Sequence, residues 1–304
     1  MLRTLALLLI LATGVASAGS LDIPVRGHGL SFGNSTEFTG LRFNIRDEGL
    51  ERIDGVTVSF WAPANNPTGS IRGLSLGFGG TAAESISGIS LNLLGMGCDE
   101  FRGIGIAGLG AGAGDMDGIM VAGLGMGADD VRGVMIAGLG AGVDDIQGIA
   151  IAGLGFGADD VDGIVLAGLG AGVDDMNGIG AALLGFGGND LRGVYLAGLG
   201  MGGDTLKGVM VSGLGMGGDH LEGLFISCLG MGGRHLEGGF FTGAYLRADR
   251  LTGVSSAAYN RVDVVHGLQI GLFNRADVLH GVQIGWLNWA GNNPSALKLT
   301  PGIH

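Results

Sequence analysis

Apolar and polar positions in this chain recur with a fixed period, and a period of this length defines the architecture before any single residue does. Glycine opens a unit at Gly73, Gly88, Gly103, Gly118, Gly133, Gly148, Gly163, Gly178, Gly193, Gly208, Gly223, Gly238 and Gly253, always fifteen residues apart, then at Gly267 and Gly281 at a spacing of fourteen. Looser units begin at Gly29, Gly40 and Gly55. In a typical unit, Gly118 to Arg132, the sequence is GIMVAGLGMGADDVR. Its second column (Ile119, Val134, Ile149, Ile164) and fourth column (Val121, Ile136, Ile151, Leu166) are aliphatic and two apart, so they share one face of a β-strand. With the leucines of the seventh column and the aliphatic second-to-last column (Val131, Ile146, Val161, Met176), they make the expected core. The third column varies: Met120, Met135, Val165, Tyr195, Met210, Phe225 and Phe240. Such scatter reads as an outward position, and its apolar members as a contact surface for a second copy, an envelope surface or another protein.

The two-residue alternation and the glycine content exclude long helices. Two β architectures remain. In an antiparallel barrel successive strands reverse, so nothing requires every unit to repeat the same chemistry. In a solenoid each unit lies about 4.8 Å from its own copy, and identity is expected. The expectation is therefore an all-β, single-domain β-solenoid (β-helix) of about 15 residues per coil, with an outer-membrane β-barrel as the alternative. One coil cannot bury enough apolar surface to offset the entropy of ordering it, so coils must stack. The expected organisation is a signal peptide over 1–18, irregular N-terminal units or a cap over 19–72, regular fifteen-residue repeats over 73–252, fourteen-residue repeats over 253–293 and a tail over 294–304.

Composition refines this. Hydrophobic residues make up 46% and charged residues 14%, which suits a packed core rather than disorder. A formal net charge of −12 disfavours nucleic acid as a partner. Arg3, the apolar run Leu5 to Val15 and Ala16-Ser17-Ala18 form a cleavable export signal, so the expected location is extracytoplasmic: periplasm, cell surface or secreted. No cysteine follows the apolar run to accept lipid, and no later stretch reaches the length of a transmembrane helix. Cys98 and Cys228 lie nine coils apart, roughly 43 Å at the spacing of stacked strands, too far for a disulfide within one solenoid.

The columns that could carry chemistry are few. Asp129, Asp144, Asp159, Asp174, Asp204 and Asp219 recur at one position of the unit, usually beside a second acidic column. They read either as turn residues with solvated carboxylates or as a calcium ladder, calcium being the one cofactor the pattern admits. LGMGGDTLK, from Leu199 to Lys207, resembles the calcium-binding nonapeptide of the repeat-in-toxin family, G-G-x-G-x-D-x-U-x, in all but its first glycine. That family places two nonapeptides in each coil and polar residues between the glycines, whereas Met201 and Phe156 stand there in this chain. His220 with His235, and His266 with His280, share columns but lack two further fixed ligands, and read as surface histidines. No Ser, His and Asp set recurs, and the expectation is a protein that is not an enzyme.

The last units, GVSSAAYNRVDVVH, GLQIGLFNRADVLH and GVQIGWLNWAGNN, resemble the GLQIGLxN repeats of bacterial cell-surface repeat proteins, including a leptospiral surface-repeat lipoprotein family. The resemblance covers Gly253 to Asn293 and implies a bacterial envelope setting without catalysis. The functional expectation is a structural or interaction scaffold, with a calcium-stabilised secreted solenoid as the alternative.

Overall fold

The computed structural model describes residues 19–25, 28–64, 66 and 68–304. The expected signal peptide over 1–18 lies outside the described residues. The chain forms two compact units, the first ending at Asp145 and the second spanning Ile146–His304. The division falls inside the regular repeat, where the period carries no sign of it.

Each unit is a parallel β-solenoid. In the first, strands Glu37–Asn44, Arg52–Ser59, Ser70–Gly77, Thr81–Asn92, Gly95–Ala107, Gly110–Ala122 and Gly125–Ala137 pair in chain order, all parallel. In the second, Gly155–Ala167 pairs with Gly170–Ala182, and the stack continues in parallel through Gly200–Ser212, Gly215–Ser227, Gly230–Thr242, Tyr245–Ser256, Tyr259–Ile270 and Phe273–Ala290. The register equals the sequence period: Gly163 faces Gly178, Ile164 faces Ile179, and Gly253 faces Gly267 where the spacing shortens. Consecutive coils run the same way, so the barrel alternative fails. Antiparallel pairing occurs where Ser20–Val25 meets His28–Gly33 and where Leu299–Ile303 returns along Phe273–Ala290. A strand laid on an edge in this way covers backbone groups that would otherwise recruit another chain. Among the described residues no helix is long and apolar enough to cross a membrane.

The coil opening at Gly163 shows why this sequence closes on itself. The ladder to the next coil skips Asp159 and Asp174, marking one corner. Gly178 forms a second corner with φ 147°, and a Cβ there would strike the carbonyl oxygen of Gly163 in the coil before, so no other residue fits. A third turn falls at Leu183 and Leu184. Three short walls result. Their inward side chains come from columns three, five, nine, eleven and fourteen, as in Val165, Ala167, Ala171, Val173 and Met176, all buried.

This reverses part of the sequence expectation. The second-to-last column is core, with Val131, Leu206 and Leu221 at most 1% exposed. The third column is core as well: Met120, Met135, Val165, Tyr195, Met210, Phe225 and Phe240 are each 0% exposed, so they form no contact surface. The uniform aliphatic second, fourth and seventh columns, expected inside, lie outside or half-exposed. The reason is volumetric. Inward side chains from three walls must fill one shared space, so a small residue on one wall calls for a large one on another. Gly180 leaves room that Phe186 and Tyr195 occupy, their ring centroids 5.2 Å apart. The Tyr195 hydroxyl finds the carbonyl oxygens of Met176 at 2.9 Å and Arg192 at 3.1 Å. Variation in the third column is thus the mark of a packed interior.

Both units also bury polar groups. In the first, Arg42 is fully buried and donates to Asp47 at 2.5 Å, while Asp47 also accepts from Asn44 at 2.8 Å and Ser59 at 2.5 Å. In the fourteen-residue coils Asn260, Asn274 and Asn288 form a buried amide ladder, with Nδ2 to Oδ1 distances of 2.8 and 2.7 Å. Gln283 donates to Gln269 at 2.7 Å in the same way. Amide meets amide one coil away, and the Asn260, Asn274 and Asn288 side chains also donate to the carbonyl oxygens of Ile270, Ile284 and Gly302, while Asn260 Oδ1, Gln269 Nε2 and Gln283 Oε1 are buried without a partner among the described residues.

Candidate functional site: an aliphatic sheet face

Strand alternation sends the third and fifth columns inward and therefore the second and fourth outward, on the same wall. Within Ile146–His304 this wall presents Ile164, Ile179, Val194, Val209 and Leu224 in one row and Leu166, Leu196, Val211 and Ile226 in a parallel row. Leu169, Leu184, Leu199, Leu214 and Leu229 stand along the adjoining turn. Their backbones are fixed by a ladder in which each leucine N–H donates to the leucine one coil before, 2.7 Å from Leu169 to Leu154 and 2.8 Å from Leu184 to Leu169. The first unit repeats the pattern with Ile104, Ile119, Ile106, Val121, Leu109 and Leu124. Ile179 is 48% exposed and Leu196 50%. Single exposed aliphatics are ordinary, but rows of them on a flat sheet form a contiguous apolar patch of the kind that marks a contact surface.

One coil departs from the pattern. From Gly153 to Gly213 the sixth column is glycine except at Leu183, whose side chain is 69% exposed. In that same coil the fourth column shrinks to Ala181, between Leu166 and Leu196. A shallow open recess of about 550 Å³ results, lined by Ile151, Leu166, Ala181, Ala182, Leu196 and Val211, with Leu183 on its margin.

The acidic column lies at a different corner. Asp129 and Asp144 in the first unit, and Asp159, Asp174 and Asp204 in the second, are exposed, while Asp219 is half-buried and pairs with Arg234 of the next coil at 3.2 Å. Among the described residues no three His, Cys, Asp or Glu side chains converge. A calcium ion would have to complete its six to eight oxygens from backbone and water. His220 stacks on His235 and His266 on His280, with ring centroids 4.8 Å apart in both pairs. Cys98 and Cys228 are both free; burial pushes the Cys98 thiol up to about 12, with the neighbouring Asp99 carboxylate adding to the shift.

Sequence reasoning named the wrong column as the surface. The signal was present: a core column in a three-walled coil varies in volume, whereas an outward column kept aliphatic through coil after coil needs a reason other than packing. No family model matches the chain, and no curated protein or solved structure matches it.

Proposed function

We propose that this chain is a non-catalytic, exported scaffold of the bacterial envelope that acts by contact through the aliphatic face of its coils. The observation that carries this reading is the persistence of Ile, Val and Leu at outward positions, where interior packing does not require them. Exposing such rows to water costs free energy in every coil, and a scaffold that covers them with a partner recovers it. Arg3, the apolar run after it and Ala16-Ser17-Ala18 support export, and the resemblance of Gly253 to Asn293 to cell-surface repeats supports the envelope setting. Asp129, Asp144, Asp159, Asp174 and Asp204 are read as solvated turn carboxylates, and Asp219 as the ion-pair partner of Arg234.

An environment-sensitive apolar dye tests the reading on the natively folded chain. The wild type is expected to enhance its fluorescence, and Val194→Lys with Leu196→Lys to lower that signal while leaving the far-ultraviolet spectrum intact. Both substitutions are outward, so the fold has no cause to change. An unaltered dye signal would show that the face is not the contact surface. N-terminal sequencing of protein recovered outside the cytoplasm is expected to begin at Gly19.

A further inference from the structure

We infer that the aliphatic face pairs with the same face of a second copy, the two coil stacks running side by side with Leu183 of each seated over Ala181 of the other. The inference rests on the contact-surface reading above and names its partner. Three observations select that partner.

The first is self-complementarity within one coil. Side-chain volume missing from the fourth column at Ala181 reappears two residues later at Leu183, where the flanking coils carry Gly168 and Gly198. A protrusion therefore stands beside a recess. A two-fold axis lying in the interface parallel to the stacking direction keeps each coil opposite its own copy and reverses the strand direction. Each protrusion then enters the other recess, the reciprocity an isologous dimer requires. Two flat β faces pack in this way about 10 Å apart.

The second is area. Ten coils from Ile149 to Val282 at about 4.8 Å, with a wall and turn about 15 Å wide, offer roughly 700 Å² per copy. Pairing would bury about 1,400 Å² in total, inside the range of stable protein interfaces. From Ile149 to Ile226 one motif repeats at the strand spacing and is matched by a partner with the same period; Gly239, Phe241 and Ser256 interrupt the aliphatic rows beyond it, where the wall itself continues.

The third is what the face lacks. Membrane-contacting surfaces carry aromatic side chains at the interface and basic ones beside them. From Ile149 to Ile226 the aromatic side chains Phe156, Phe186, Tyr195 and Phe225 all point into the core, and the exposed aromatics Phe241, Tyr245, Phe273 and Trp286 stand only in the coils beyond. The net charge of −12 further disfavours an anionic lipid surface. The acidic corner at Asp159 and Asp174 belongs to the other walls of the coil, so pairing does not press the carboxylates together.

Sedimentation equilibrium of the purified full chain, without detergent, tests this. A dimer is expected at tens of micromolar. Leu183→Gly, which restores the residue found in the flanking coils, and Ala181→Leu, which fills the recess with the residue of Leu166 and Leu196, are each expected to raise the dissociation constant roughly 10- to 100-fold. Both positions face solvent in the single chain, so circular dichroism should be unchanged. A monomeric wild type, or a dimer that both variants leave intact, would overturn the inference. Flotation with phosphatidylcholine vesicles separates the failures. A monomer that floats would overturn self-pairing while leaving the contact surface standing; a monomer that neither floats nor binds dye would overturn both.

Discussion

Phe225 and Ile226 are adjacent, similarly apolar and assigned to opposite sides of one wall, which makes them a decisive pair. Phe225 is fully buried and stacks on Phe240 with ring centroids 5.2 Å apart and planes 13° from parallel. Phe225→Ala removes the ring from a space that the other walls cannot refill, at a cost of about 3–5 kcal/mol. Ile226 is 40% exposed, and Ile226→Ala gives up only the sheltered part of its side chain, about 1 kcal/mol. Because a solenoid opens locally, the appropriate assay is native-state amide exchange read by mass spectrometry over Gly215–Ser227 and the strands beside it. At about 1.4 kcal/mol per decade, exchange there should accelerate on the order of 10²–10⁴-fold for Phe225→Ala. For Ile226→Ala it should accelerate about 10-fold or less. If Ile226→Ala costs as much as Phe225→Ala, the inward and outward columns have been exchanged and the reasoning fails.

Four further outcomes rest on named contacts. Gly178→Ala should destabilise its coil by about 1–2 kcal/mol or more, because φ 147° and the Gly163 carbonyl leave no room for a Cβ, whereas Gly172→Ala, which meets nothing within 4 Å, should be close to neutral; paired thermal melts check both. Asp47→Ala strands the buried Arg42 guanidinium and should cost about 3–5 kcal/mol, seen as early loss of exchange protection in Glu37–Asn44 and Arg52–Ser59. At neutral pH Cys228 should alkylate readily and Cys98 slowly, as peptide mass mapping after iodoacetamide will show. The raised Cys98 value also makes stability fall as pH rises from about 9 towards about 12, since over that window the unfolded thiol ionises while the folded one stays protonated.

Much of the fold was legible because the repeat is a statement about translation. Glycines fifteen apart and a second-to-last aliphatic column, from Val131 to Leu236, require parallel stacking, and the structure stacks them in that register. The parity of the wall was not legible. Alternation assigns Ile164 and Leu166 to one face and Val165 and Ala167 to the other, but it does not say which face is inside, and an error of one residue inverts every side chain. Deciding it requires comparing walls that the sequence does not place together, such as Gly180 against Phe186 and Tyr195. Ala167 and Ala182, in step with the third column and unable to protrude far, were the available hint. The buried Arg42 and the Asn260 to Asn288 ladder were hidden for a related reason: a polar residue in a strand reads as outward until its partner one coil away is known.

Methionine oxidation tests the orientation of the wall most directly, because the chain carries its own probes at Met120, Met135 and Met210. The native protein, diluted to nanomolar concentration so that pairing cannot shield it, would be exposed to hydrogen peroxide and its peptides analysed by mass spectrometry. Inward methionines should convert to sulfoxide orders of magnitude more slowly than in urea. Conversion of these three at the rate of the unfolded chain would place the third column in solvent and return the aliphatic rows to the core.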